Sequence, residues 1–170
     1  MSYYQHRISH WWEVSRPLLD KGYLTIGFRN LSKSGIIDER DDDDKFDEIY
    51  KKYFSDTRRK QVHRFLNLKN GDTVVVPLYN KQFAVVEVIG NTDIIDNLPQ
   101  NIKSDVGLND EVDLGFFSPV KIINVTQRSY ASSKLQSRMK NFMTNISVDD
   151  LSADIEDAKN VKGPVNFQKK

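Results

Sequence analysis

The stretch SHWWEVSR, residues 9–16, sets both tryptophans of the chain side by side, between His10 and Glu13. Neighbouring residues point about 100° apart on a helix and to opposite faces on a strand, so a single core rarely accepts both rings. One indole therefore needs a role of its own. Tyr3, Tyr4, Trp11, Trp12 and Phe28 crowd the N-terminal segment, interleaved with His6, Arg7, Ser9, His10, Arg16 and Arg29. Rings beside donors and cations are what holding an unstacked nucleobase requires. The rings replace the stacking that the base loses, and the polar groups read its edge. A core or interface cluster is the competing account of the same residues.

Other candidate chemistry is weaker. His6 and His10 stand four apart, a spacing that shares one face of a helix and suits a metal, but no metalloprotease glutamate accompanies them. The segment also reads as strand, so no metal site is expected and a surface or hydrogen-bonded histidine pair is the reading adopted. His63, flanked by bases, reads as a phosphate contact or helix surface. The DDDDK run lacks the spaced ligands and turn glycine of a calcium loop and reads as an acidic surface loop. The chain has no nucleophile elbow, phosphate-binding glycine loop or dinucleotide fingerprint, so neither a catalytic set nor a cofactor is expected.

Length and composition set the frame for these residues. A chain of 170 residues, 38% hydrophobic and 29% charged, can bury a real core as one soluble domain. No apolar run approaches a membrane span, and the N-terminus lacks the pattern of a signal peptide, which predicts a cytoplasmic location without membrane partners. The absence of cysteine rules out disulfides and thiolate metal sites. Net charge is only +1, but its distribution is uneven. Residues 38–48 carry eight acids and two bases; residues 51–69 carry seven bases and one acid; residues 121–140 carry five bases and no acid. Two basic stretches fit a polyanion-binding face, with solvated helix surfaces as the alternative.

The elements that would position the aromatic residues follow from periodicity and punctuation. YQHRIS reads as an opening strand, and SRPLLDK as a short helix with Ser15 as N-cap, Pro17 in its first turn and Gly22 as its stop. YLTIGF is a buried strand. Residues 31–45 read as a mobile loop. Phe46, Ile49, Tyr50 and Tyr53 form one helical stripe, and Val62, Phe65 and Leu66 another. TVVVPLY and QFAVVEVIG flank Asn80-Lys81 as a β-hairpin, and EVDLGFF and VKIINVT supply further strands. A helix from about Ser132 to Met143 presents Leu135, Met139, Phe142 and Met143 on one side. The order is five or six strands with short helices inserted, which predicts an α+β fold built on a small twisted barrel.

Three phrases in order resemble one family. HRISHWWEVSRPLLDKGYLTIGF is similar to the opening of EVE-type domains of the PUA-like superfamily, as found at the N-terminus of modification-dependent restriction and defence proteins. Its Ile26-Gly27-Phe28 stands where those domains carry an "IGW"-like strand, with phenylalanine for tryptophan. FLNLKNGDTVVVPLYNKQFAVVEVIGN resembles the family's GD-containing hairpin, and VKIINVTQRSYASSKLQSRMKNFMTNIS its later strand-helix stretch. The resemblance spans roughly residues 4–147. It implies a PUA-like (EVE-type) domain over residues 1–147, followed by an acidic-to-basic tail or linker over 148–170.

By position, the resemblance places Ser9, His10, Trp11, Trp12, Phe28 and Asn30 in a pocket for a flipped, modified base. Arg58, Arg59, Lys60 and Arg64 would hold flanking phosphates, with Arg128, Lys134 and Arg138 extending that surface. Stacking of about 1–3 kcal/mol per base offsets the few kcal/mol needed to extract it. The expectation is thus a non-enzymatic nucleic-acid reader, with DNA favoured over RNA, that recruits a nuclease or motor on another domain or chain. The alternatives are a protein-interaction module anchored by Trp11-Trp12 and the acidic loop, and an RNA reader of the same fold.

Overall fold

The computed structural model describes residues 1–141 and 143–162. Seven strands form one mixed, open sheet: β1 (Tyr3–His6), β2 (Tyr23–Ile26), β3 (Thr73–Pro77), β4 (Gln82–Val88), β5 (Asp93–Ile94), β6 (Phe116–Gln127) and β7 (Asn145–Ser147). Their order is β2-β6-β4-β3-β1-β7, with β5 also paired to β6. Only β1 and β3 run parallel; the other pairs are antiparallel. The class is α+β, as expected. The sheet is curled but not closed, because β2 and β7 end the path unpaired with each other.

The central hairpin forms where the two β-branched runs predict it. Asn80 and Lys81 both take positive φ, 59° each, the left-handed pair that a two-residue hairpin loop requires. EVDLGFF and VKIINVT do not make separate strands. The first merges into the twelve-residue β6, whose length lets it pair with β2, β4 and β5.

Among the described residues, six α-helices cover the sheet: α1 (Trp12–Asp20), α2 (Asp43–Tyr53), α3 (Arg59–Leu66), α4 (Gln100–Val106), α5 (Ser133–Arg138) and α6 (Ser152–Ala158). The main core takes Phe46 and Tyr50 from α2, Val62, Phe65 and Leu66 from α3, and Leu24, Val74, Val76, Val86 and Phe116 from the strands. Tyr53, expected on the apolar stripe, is exposed. None of the described helices is long and apolar enough to cross a membrane.

Four local expectations change. Helix α1 begins at Trp12, three residues before Ser15, and Ser15 is buried with its hydroxyl donating to the Ile8 carbonyl (2.6 Å). Residues 31–45 are held by buried Leu31 and Ile36 and contain a 3-10 turn over Ile36–Glu39, so hydrophobic anchoring replaces a mobile loop. Helix α5 ends at Arg138; Leu135 and Met139 are buried but Met143 is exposed, and Phe142 lies outside the described residues. Residues 148–158 are not loosely attached. Val148, Leu151, Ile155 and Ala158 recur at three- and four-residue spacing and bury against Val75, Phe83 and Val85 on the face of the sheet opposite the main core. The remainder of the expected tail, 163–170, lies outside the described residues.

Candidate functional site

A cleft of about 160 Å³ opens where the segment after β1 meets the end of β2, flanked by the turn before β6. Its lining includes Arg7, Ser9, His10, Thr25, Gly27, Phe28, Arg58, Asp113 and Thr144. An apolar cavity of about 150 Å³ holds benzene, so this space matches one six-membered ring.

Backbone geometry creates the space. Gly115 donates its N–H to both the Ile26 and Gly27 carbonyls at 3.0 Å, bringing the strand ends together. A Cβ on Gly115 would stand 2.6 Å from the Phe28 carbonyl oxygen, so only glycine permits this approach. Gly27 is similarly pressed: its Cβ would lie 3.3 Å from the Asp113 carbonyl and 3.4 Å from the His10 ring.

Two aromatic residues have left-handed backbones, Phe28 (φ 61°) in the cleft wall and Trp11 (φ 54°), which follows the cleft residue His10. Among the described residues, the other non-glycine positions with positive φ are the hairpin pair Asn80 and Lys81. Such a conformation costs about 1–2 kcal/mol for an L-residue. Both carbonyls start a helical turn: Trp11 accepts from Val14 and Ser15, and Phe28 from Leu31. Strain of this kind concentrates at functional sites.

Phe28 is 7% exposed and forms the aromatic wall. Its ring packs edge-on against Phe54, with centroids 5.3 Å apart, and the Arg58 guanidinium lies over it at 4.7 Å. Asp56 fixes that guanidinium through Nε and Nη2 and also accepts from the Tyr50 hydroxyl. These bonds, led by Arg58, hold the Asp56 carboxyl down at about 2. Burial, then the bond to Asp56, pushes the Tyr50 hydroxyl well above its ordinary range.

The polar wall is Asp113. Its Oδ2 accepts from His10 Nε2 (3.0 Å) and its Oδ1 from the Arg29 backbone N–H (2.9 Å), which orient an exposed carboxylate at the rim. Thr25 is 2% exposed, and its buried hydroxyl has no hydrogen-bond partner. Behind the cleft, His6 is fully buried. Its Nε2–H donates to the Thr25 carbonyl (2.7 Å) while Asn145 Nδ2 donates to its Nδ1 (3.1 Å). Burial lowers its pKa to about 4, so the ring is a neutral clasp between β1, β2 and β7. No group of three or more His, Asp or Glu side chains among the described residues could hold a metal.

Of the expected pocket residues, Ser9, His10 and Phe28 line the cleft; Trp11, Trp12 and Asn30 do not. Trp11 is 38% exposed, its ring set edge-on to His10. Trp12 is half-buried against the main core and against Tyr79 at the hairpin turn, with ring centroids 4.2 Å apart. The paired tryptophans thus have different environments, one on the core and one in solvent. Asn30 is exposed on the turn after Phe28.

The expected phosphate residues divide more sharply. Arg59 pairs with Asp43 and Asp47, and Lys51 with Asp47, so the acidic stretch 38–48 neutralises part of the basic stretch 51–69. Arg58 belongs to Asp56. Arg64 donates to the Asn145 carbonyl, and Arg128 to the Gln82 and Leu78 carbonyls. Arg138 pairs with Asp150 through both terminal nitrogens. Lys60 and Lys134 are exposed and have no ion-pair partner among the described residues.

Sequence reasoning named Arg7 among the cations beside the aromatic residues without placing it in the pocket, and missed Thr25, Asp113 and Thr144. Asp113 lies 103 residues from His10, and no local pattern links them. Gly115 and Gly27 were the available signals, since a glycine within a strand pattern marks close backbone approach. No family model matches this chain, and no curated protein matches it in sequence.

Proposed function

We propose that the chain is a non-enzymatic nucleic-acid reader whose cleft takes one extrahelical base, with modified DNA as the preferred target. The observation that supports this most is that a strained aromatic residue and an oriented carboxylate line the same ring-sized space. Phe28 supplies an apolar face, and Asp113 supplies an acceptor held by His10 and Arg29. A carboxylate at that position repels phosphate and accepts from a base amino group, as acidic side chains do from cytosine N4. The size of the cleft favours a pyrimidine. The similarity of the N-terminal phrases to EVE-type domains adds the defence setting, in which a nuclease or motor on another domain or chain acts on what the reader holds.

Equilibrium binding to duplexes carrying cytosine, 5-methylcytosine, 5-hydroxymethylcytosine or N6-methyladenine tests this. One modified-cytosine duplex should bind about tenfold or more tighter than the unmodified one, and Asp113→Asn should remove about 1–3 kcal/mol of the preference for cytosine-type bases over bases with no amino group at that edge. Equal affinities across the panel would remove the modified-base reading.

A second reading, docking of a protein partner, is favoured by the exposure of Trp11 beside an otherwise packed N-terminal segment. It predicts no affinity for single- or double-stranded nucleic acid at low salt.

A further inference from the structure

We infer that the strand flanking the bound base leaves the cleft past Arg7 and Thr144 and lays its phosphates in a groove on α5, with Lys134 and Lys140 as the cations that meet them. This rests on the reader reading above and identifies its backbone contacts, for which α3 offers Lys60 alone, since Arg59 is held by carboxylates and Arg64 by a main-chain carbonyl. The groove is lined by Lys134, Ser137, Arg138, Lys140, Asn141 and Asp150. It lies next to the cleft, because Arg7 belongs to the cleft wall and its guanidinium donates to the carbonyls of Asn141 (2.6 Å) and Met139. The Arg7 backbone N–H donates to Thr144, another cleft residue (2.8 Å). One arginine therefore ties the end of the groove to the cleft wall.

Charge state then separates the candidates. A cation held by a carboxylate must exchange that partner to bind phosphate, so it releases little net counterion charge. Arg58, Arg59 and Arg138 are held in this way. Arg64 and Arg128 are directed at main-chain carbonyls. Lys134 and Lys140 are exposed, lie in the groove and have no ion-pair partner among the described residues.

The test is the salt dependence of binding, measured with the full chain on a modified and an unmodified duplex. Each lost phosphate contact lowers the slope of log K against log salt by about 0.9 on a duplex. The variant Lys134→Ala/Lys140→Ala should lower the slope by roughly 1.8, weaken both duplexes alike and keep their affinity ratio. Lys134→Arg/Lys140→Arg should restore the slope, and Arg59→Ala should leave it near the wild-type value. Salt-dependent wild-type binding with an unchanged slope in the double alanine variant would overturn the groove assignment and leave the base-reading cleft standing. Wild-type protein that binds no duplex at any salt would overturn both.

Discussion

The guanidinium carbon of Arg58 lies 4.7 Å from the centre of the Phe28 ring, and Asp56 holds it there through two nitrogens. The cleft wall is therefore a sandwich of aromatic ring and cation whose charge is already matched. Arg58→Ala removes contacts to both Phe28 and Phe54. Unfolding in denaturant should show a loss of about 1 kcal/mol, the size of a partly exposed cation–π contact. Nuclear magnetic resonance titration should find the Asp56 carboxyl moved up from about 2 toward its ordinary value of 3.8. An Asp56 titration unaltered by the substitution would show that Arg58 does not hold that carboxyl.

Gly115 offers a test of how the space is made. Alanine there would place its methyl 2.6 Å from the Phe28 carbonyl and 2.7 Å from that of Gly27, both main-chain atoms that move only with the strand end. Overpacking of this kind costs about 1–3 kcal/mol. Gly115→Ala should lose that much stability and more affinity for the modified duplex than for the unmodified one. A variant with wild-type stability would show that the strand ends yield without consequence.

His6 makes stability depend on pH. Its folded pKa, about 4, lies below its ordinary value of 6.5, so between these values the unfolded chain binds the extra proton. Its contribution is complete above the unfolded value and is lost as pH falls toward 4, at up to about 1.4 kcal/mol per pH unit. Denaturant midpoints between pH 7 and pH 4.5 should fall, and the fall should flatten in His6→Gln. Proton resonances of the wild-type ring provide a second measure and should report neutral imidazole at pH 5. A ring protonated at pH 5 would contradict the buried clasp.

What the sequence revealed, and what it hid, divides along the range of the interactions. The Asn80-Lys81 hairpin, the stripes of α2 and α3 and the stop at Gly22 depend on neighbours a few residues apart, and periodicity exposes them. The Trp11-Trp12 pair announced two different environments, but not which ring would be free. Asp113 joins His10, Arg29 and Gly27 only through the register of β2 with β6, where Ile26 faces Phe116. No local spacing encodes that register. The basic stretch 51–69 was visible as charge, while its neutralisation by Asp43 and Asp47 needed the packing of α3 beside α2. The stripe Val148, Leu151, Ile155 and Ala158 was legible in principle, yet the density of acids between those positions hid it.

On the proposed function, a base leaves the helix and enters the cleft lined by Phe28 and Asp113. The most direct measurement of this uses 2-aminopurine placed beside the modified base, whose fluorescence rises when its stacked neighbour is withdrawn. Saturating wild-type protein should raise that signal on the modified duplex, and Gly115→Ala, at equal saturation, should not. Saturated binding by the wild type with no change in fluorescence would mean that the base stays stacked and the cleft is not its site.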